Sequence, residues 1–215
     1  MKDEMLDSPS AGRRERKKRD ARERLYETAL RLFRTRGYDA TSVQTIADEA
    51  DVAKGTFFNY FATKEHILAE YHDRMAAEVL EAVESRRHRS AEEAVQSVLG
   101  ECAAYAVNDP AIGRVLLRVM FAGDVLMDAD RRNEERLQRY LKGCVEEGVA
   151  RGELRPDLDV PLFLSMLVGL LSSTVTEWVV GDAAFDLEGT LRRKIDLLFG
   201  AVRVTPARSP ARRSR

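Results

Sequence analysis

The sequence predicts an all-α protein in which a small three-helix head precedes a longer helical body. Three observations predict it. Apolar residues recur at helical spacing in segment after segment, no run beyond residue 64 alternates apolar with polar as a half-buried strand would, and capping or stopping residues fall between the periodic segments. With 215 residues, 44% hydrophobic and 33% charged, the chain can bury a sizeable core, and it is neither collagen-like, disulfide-rich nor wholly disordered.

The formal charge of -1 conceals an asymmetry. Residues 1–64 carry 14 basic and 11 acidic groups, residues 65–202 carry 16 and 25, and residues 203–215 carry five Arg and no acid. A basic end on an acidic body suits an N-terminal part that meets a polyanion.

Taken in order, residues 1–19 are polar and read as a disordered basic extension. Arg13 to Arg24 then concentrates eight basic residues against three acidic ones, either a solvated run opening a helix or a set of phosphate contacts. The first helix is expected from Asp20 to Arg36 on the stripe Leu25, Ala29, Leu32 and Phe33; Gly37 stops it as a left-handed cap, and Tyr38 can fold back on its last turn. Thr41 followed by Gln44 matches a capping box for a second helix with Val43, Ile46, Ala47 and Ala50 on one face. Asp51 stands where a left-handed turn residue is wanted, and a third helix is expected from Lys54 to Phe61, held by Phe57 and Phe61 at i and i+4. Two short helices and a tight turn read as helix-turn-helix, whose second helix enters the major groove.

Leu32-Phe33, Gly37-Tyr38, Thr41, Ile46-Ala47, Ala50, Val52, Gly55-Thr56, Tyr60-Phe61, Lys64 and Leu68 together resemble the N-terminal domain of the TetR family of bacterial regulators, over residues 22–71. The resemblance implies a dimeric, all-helical DNA-binding protein with a variable C-terminal domain that binds a small molecule. Carried over position by position, it places Lys54, Gly55, Thr56 and Phe58 on the recognition helix, Gln44 on the second helix, and Tyr60 and Lys64 at backbone contacts. Each has its own chemistry. Lys54 can donate to guanine, Gly55 admits close approach, the Thr56 methyl can meet a thymine methyl, and Tyr60 and Lys64 suit phosphate oxygens. Plainer roles compete: Thr56 as a local cap, Tyr60 as half-buried packing, Lys64 as a solvated residue opening the fourth helix, Gln44 as the capping partner of Thr41. Departures from the common family pattern are Phe58 for tyrosine, Ala53 for a capping serine, Asp51 for glycine and Ala62 for proline.

The body continues as helices. The fourth is expected from Lys64 to Arg86, and the fifth opens at Ser90 with Glu93 in a capping box and ends at Asp109-Pro110. The sixth carries Ile112, Val115, Leu116, Val119 and Met120; the seventh carries Leu137, Leu141, Cys144, Val145 and Val149. Val160 to Val180 has only Glu177 as a charge and is long enough to cross a bilayer, but its Ser and Thr content, Pro161 in the first turn and the lack of basic flanks favour a helix buried on most sides. The ninth bears Leu187, Leu191, Ile195, Leu198 and Val202. By resemblance, the eighth and ninth pair with their copies as a four-helix bundle.

The expected organisation is therefore a helix-turn-helix domain over 20–64, a helical effector-binding and dimerisation domain over 65–202 and a disordered basic tail over 203–215. The partners expected are a double-stranded operator, a second copy and a small-molecule effector, with no membrane. Candidate pocket residues are Tyr71, Met75, Tyr105, Met120, Phe121, Tyr140, Met166 and Trp178, each of which also reads as ordinary core. No Walker loop, dinucleotide fingerprint, nucleophile elbow or H-E-x-x-H run is present, His66, His72 and His88 lie among solvated charges, and no cofactor, metal or catalytic group is expected. Cys102 and Cys144 are too sparse for a disulfide framework and no apolar run follows the early charges, so a cytoplasmic setting is expected. The expected function is a ligand-responsive repressor released from its operator by a small molecule; the alternatives are a DNA-binding regulator or DNA-organising protein without an effector, or a hydrolase using the C-terminal cavity.

Overall fold

The computed structural model describes residues 9–120, 124–181 and 184–204, without the side chains of 9–15, 120 and 124–134. Helices form its whole regular framework: α1 (Pro9–Arg36), α2 (Val43–Glu49), α3 (Lys54–Phe58), α4 (Glu65–Glu84), α5 (Ala91–Asn108), α6 (Pro110–Met120), α7 (Asp124–Ala150), α8 (Val160–Val180) and α9 (Leu187–Gly200). Among the described residues the one extended pairing is an isolated antiparallel bridge between Leu154 and Arg203.

Two compact units result, Met1–Arg74 with Ala111–Asp130 and Met75–Pro110 with Arg131–Arg215. In the first, Leu25, Leu32, Ile46, Phe57, Ile67 and Leu68 are fully buried, joined by Ile112 and Val119 of α6. Burying one such side chain contributes about 1.5–3 kcal/mol, so this core outweighs the weak propensity of its two shortest helices. In the second, Val95, Val98, Leu99, Leu141, Val145, Leu167, Ile195 and Phe199 are buried across α5, α7, α8 and α9. Gly148 lets α7 pass close to α5 there, since a Cβ on it would lie 2.7 Å from that of Ala91.

Local chemistry sets the boundaries, with some differences from expectation. Gly37 takes φ +86° and Asp51 φ +55°, the left-handed conformations foreseen for both. α1 is already helical at Pro9, the first described residue, and not only from Asp20. The cap of α2 is Ser42, whose hydroxyl accepts from the Thr45 amide at 3.0 Å; Thr41 is fully buried and donates to the Gly37 carbonyl at 2.7 Å. The competition over Gln44 thereby dissolves, because its amide donates to Asp48 at 2.7 Å. α3 ends at Phe58 rather than Phe61, and α4 spans Glu65–Glu84 rather than 64–86. Ser90 caps α5 as expected, accepting from the Glu93 amide at 3.1 Å. α8 has the length and apolarity of a membrane span, and this chain alone buries 33% of its most apolar stretch, whereas the burial expected on most sides includes a second copy.

Candidate nucleic-acid interface

α3 has five residues, too few to persist by propensity, and Ala53 at its N-cap offers no side-chain acceptor. Packing holds it instead. Phe57 and Phe61 are buried with ring centroids 5.8 Å apart, and the amides of Tyr60 and Phe61 both donate to the Phe57 carbonyl at 2.9 Å. The buried side of α3 is thus fixed, and so is the side left for a ligand.

The open side carries Lys54, Gly55 and Phe58. Lys54 and Gly55 are exposed, a Cβ on Gly55 would meet nothing within 4 Å, and Phe58 is 50% exposed with its ring edge-on to Phe57. Thr56 is half-buried at the margin of this face, and Tyr60 is half-buried against the first core. Gln44 is exposed near the start of α2. One exposed residue on the face is absent from the sequence candidates: Asn59, the C-cap of α3, which keeps helical dihedrals. The i, i+4 aromatic pair marks only the buried side of residues 54–61, and no local signal in the sequence distinguishes Asn59 on the other side.

Lys64 is half-buried, and its ammonium donates to the carbonyls of Tyr38 at 2.7 Å and Thr41 at 3.2 Å while lying 4.0 Å from the Tyr38 ring centroid. Two of its three N–H bonds are engaged, leaving one for an outside acceptor. The Tyr38 hydroxyl donates to Glu65 at 2.5 Å. Burial, reinforced by that carboxylate, pushes the Tyr38 phenol far up; burial alone would raise Glu65, but hydrogen bonds from Thr63 and Tyr38 outweigh it and hold the carboxyl below its ordinary value. Arg118 of α6 pairs through both terminal nitrogens with Asp39, at 2.5 and 3.1 Å.

A second set of charges ties α1 to α4. Arg74 grips Glu23 with two bonds of 2.7 Å, lies 4.0 Å over the Tyr26 ring and also binds Glu70, which accepts from Arg22 at 2.6 and 2.5 Å. Arg22 and Glu23 are therefore committed inside the unit, whereas Arg16, Lys17, Lys18, Arg19 and Arg24 are exposed.

Of the pocket candidates, Met75, Tyr105 and Tyr140 are half-buried in the second unit and Tyr71 is half-buried in the first. Trp178 is buried with its indole N–H donating to the Phe185 carbonyl at 3.0 Å, and Met166 is 49% exposed on α8. Phe121 and the Met120 side chain lie outside the described residues. Glu177 is exposed, 3.8 Å from Lys194. Burial pushes the Cys102 thiol up to about 12, which disfavours its thiolate, and the described residues hold no cluster of metal-ligating groups.

Known proteins share this arrangement. The model of bacterial regulatory proteins of the tetR family matches residues 25–71, and that of the C-terminal region of YsiA-like proteins matches 130–201. The fatty acid metabolism regulator protein of Bacillus subtilis (strain 168) is 27% identical over 192 residues, covering 87% of this chain and 98% of its own. The transcriptional repressor KstR of Rhodococcus jostii (strain RHA1) is 24% identical, covering 85% and 84%. Among solved structures, FadR from Bacillus subtilis in complex with stearoyl-CoA superposes with a TM-score of 0.69 at 26% identity, over 82% of this chain and 97% of that one. Thermus thermophilus FadR, a TetR family repressor in complex with lauroyl-CoA, gives 0.68 at 25% identity, over 88% and 99%.

Proposed function

The chain belongs to the TetR family, and from that premise we propose that it is a dimeric repressor whose operator complex is released by an acyl-CoA thioester. It is a ligand-responsive DNA-binding transcriptional regulator, and its close relatives are regulators rather than enzymes. The observation that carries the DNA reading is the exposed face of α3, Lys54, Gly55 and Phe58, set against the buried Phe57 and Phe61 pair. Lys54 donates to a base edge, Gly55 permits close approach, and Phe58 and the Thr56 methyl meet thymine methyls. Tyr60 and the remaining N–H of Lys64 serve the backbone around them, and the exposed Gln44 reaches for a base edge from α2.

Dimerisation through α8 and α9 is supported by the apolar residues that the single chain leaves open. Leu162 is 58% exposed, Met166 49% and Val180 77% on α8, and Leu197 is 77% exposed on α9. A second copy laid on these helices would cover them, and two heads then meet successive major grooves about 34–36 Å apart. Met166 belongs to this stripe, and Trp178 to packing, so the effector is assigned to the neighbourhood of Met75, Tyr105 and Tyr140. An acyl-CoA is favoured because the FadR structures from Bacillus subtilis and Thermus thermophilus were each solved with one. A repressor acting on chromosomal operators works in the cytoplasm. A tenfold loss of operator affinity needs only about 1.4 kcal/mol of coupling to the bound thioester.

Fluorescence anisotropy on an operator obtained by selection tests this. We expect nanomolar affinity that falls steeply with salt, and release by stearoyl-CoA but not by CoA or stearate alone. Binding indifferent to sequence and salt would end the DNA reading; stearoyl-CoA that neither releases operator nor raises the melting temperature would end the effector reading.

A further inference from the structure

We infer that Asn59 is a base-reading residue, selecting an adenine within the operator half-site. The inference rests on the operator-reading role proposed above for α3 and adds a residue to it. Three observations converge. Asn59 keeps helical dihedrals, φ -71° and ψ -18°, so it prolongs the face of α3 by one position even though the helix proper stops at Phe58. On a helix it follows Gly55 by four residues, and both are exposed, whereas Thr56 and Tyr60, the neighbours that turn toward the core, are half-buried. Its backbone N–H is bound to the Thr56 carbonyl at 3.2 Å, while its side-chain amide has no partner among the described residues.

Among the other exposed residues of α3 the chemistry is one-sided. Lys54 only donates, Gly55 has no side chain, and Phe58 is apolar. None of them can accept a hydrogen bond from a base. A carboxamide donates and accepts at once, which matches adenine in the major groove: the side-chain NH2 to N7, the side-chain oxygen from the N6 amino group. Guanine offers two acceptors at the same edge and leaves the carboxamide oxygen facing another acceptor. Asn59 therefore discriminates between purines where Lys54 favours guanine. The neighbouring Phe58 adds an apolar surface for a thymine methyl beside it.

The test uses the full chain and pools of randomised duplex. Wild type and Asn59→Ala are each taken through selection and sequencing, and their affinities for single-base variants of the resulting site are measured by anisotropy. We expect wild type to require adenine at one position per half-site, and Asn59→Ala to lose about tenfold of preference there while retaining its preferences elsewhere and its salt dependence. Replacing that adenine by 7-deazaadenine, which removes the N7 acceptor without touching the protein, should cost wild type about tenfold and Asn59→Ala nothing. A variant that weakens every site equally, or whose profile overlays that of wild type, overturns the assignment, as does 7-deazaadenine that wild type tolerates. If wild type itself selects no sequence, the operator-reading role fails first, and the two failures are distinct.

Discussion

The Lys64 ammonium stands 4.0 Å from the centre of the Tyr38 ring and donates to the Tyr38 carbonyl at 2.7 Å, so the residue that opens the path into α4 also pins the turn between α1 and α2. A residue that only touched phosphate would leave the free protein's stability unchanged on removal. Lys64→Ala should instead lower the unfolding free energy by about 1–2 kcal/mol, from a charge-assisted hydrogen bond and a partly buried cation–π contact, and weaken operator binding as well. Urea denaturation of the DNA-free protein beside anisotropy on the operator separates the two effects; an unchanged urea midpoint would assign Lys64 to DNA alone.

Ala53 leaves the first turn of α3 without a side-chain acceptor, with φ -65° and ψ 145° already those of an N-cap. Ala53→Ser should raise stability by about 0.5–1 kcal/mol, because the hydroxyl supplies the first turn with the side-chain acceptor it lacks. Differential scanning calorimetry would register the higher melting temperature. A fall would mean that the capping rotamer is blocked.

Leu162 and Leu197 are 58% and 77% exposed, and placing a carboxylate on either position costs the isolated chain little. Between two copies it would be desolvated without a partner, which costs several kcal/mol. Leu162→Glu with Leu197→Glu should therefore shift sedimentation from dimer toward monomer and abolish tight operator binding, with helix content retained by circular dichroism. A variant that remains dimeric would move the interface off these helices.

Glu23 is held below the ordinary glutamate value by the hydrogen bonds from Arg74, assisted by the charges of Arg74 and Arg22. A depressed folded value means that the pair's contribution is complete above about pH 4.5, the ordinary glutamate value, and is lost as pH falls through the folded one. With the Glu23 side chain 43% exposed, the contribution is no more than about 1 kcal/mol after solvent screening. Glu23→Gln should be less stable than wild type near neutrality, and the two urea midpoints should converge as pH falls below the depressed folded value of Glu23. Parallel curves over that range would show that the pair is not the source of the pH dependence.

Much of the molecule was legible along the chain. The left-handed turns at Gly37 and Asp51, the Phe57 and Phe61 pair that buries one side of α3, and the Ser90 cap are readable from the sequence, because each depends on partners within about four residues. Such features follow from local sterics and hydrogen bonding. The choice between Thr41 and Ser42 as the α2 cap was less legible: both can fill it, and only the burial of Thr41 beneath the turn, with its hydroxyl on the Gly37 carbonyl, leaves the role to Ser42.

By itself the sequence determined the helical class, the order of the helices, the helix-turn-helix spacing and the residue types offered to DNA, since periodicity and caps are properties of neighbours in the chain. The tertiary structure decided which of those residues are spent internally. It alone sets Lys64 on Tyr38, draws Ile112 and Val119 of α6 into the core of the head, turns Asn59 outward and leaves the Leu162 side of α8 open. Each of these depends on a partner tens of residues away or on a surface left uncovered, and local periodicity specifies neither.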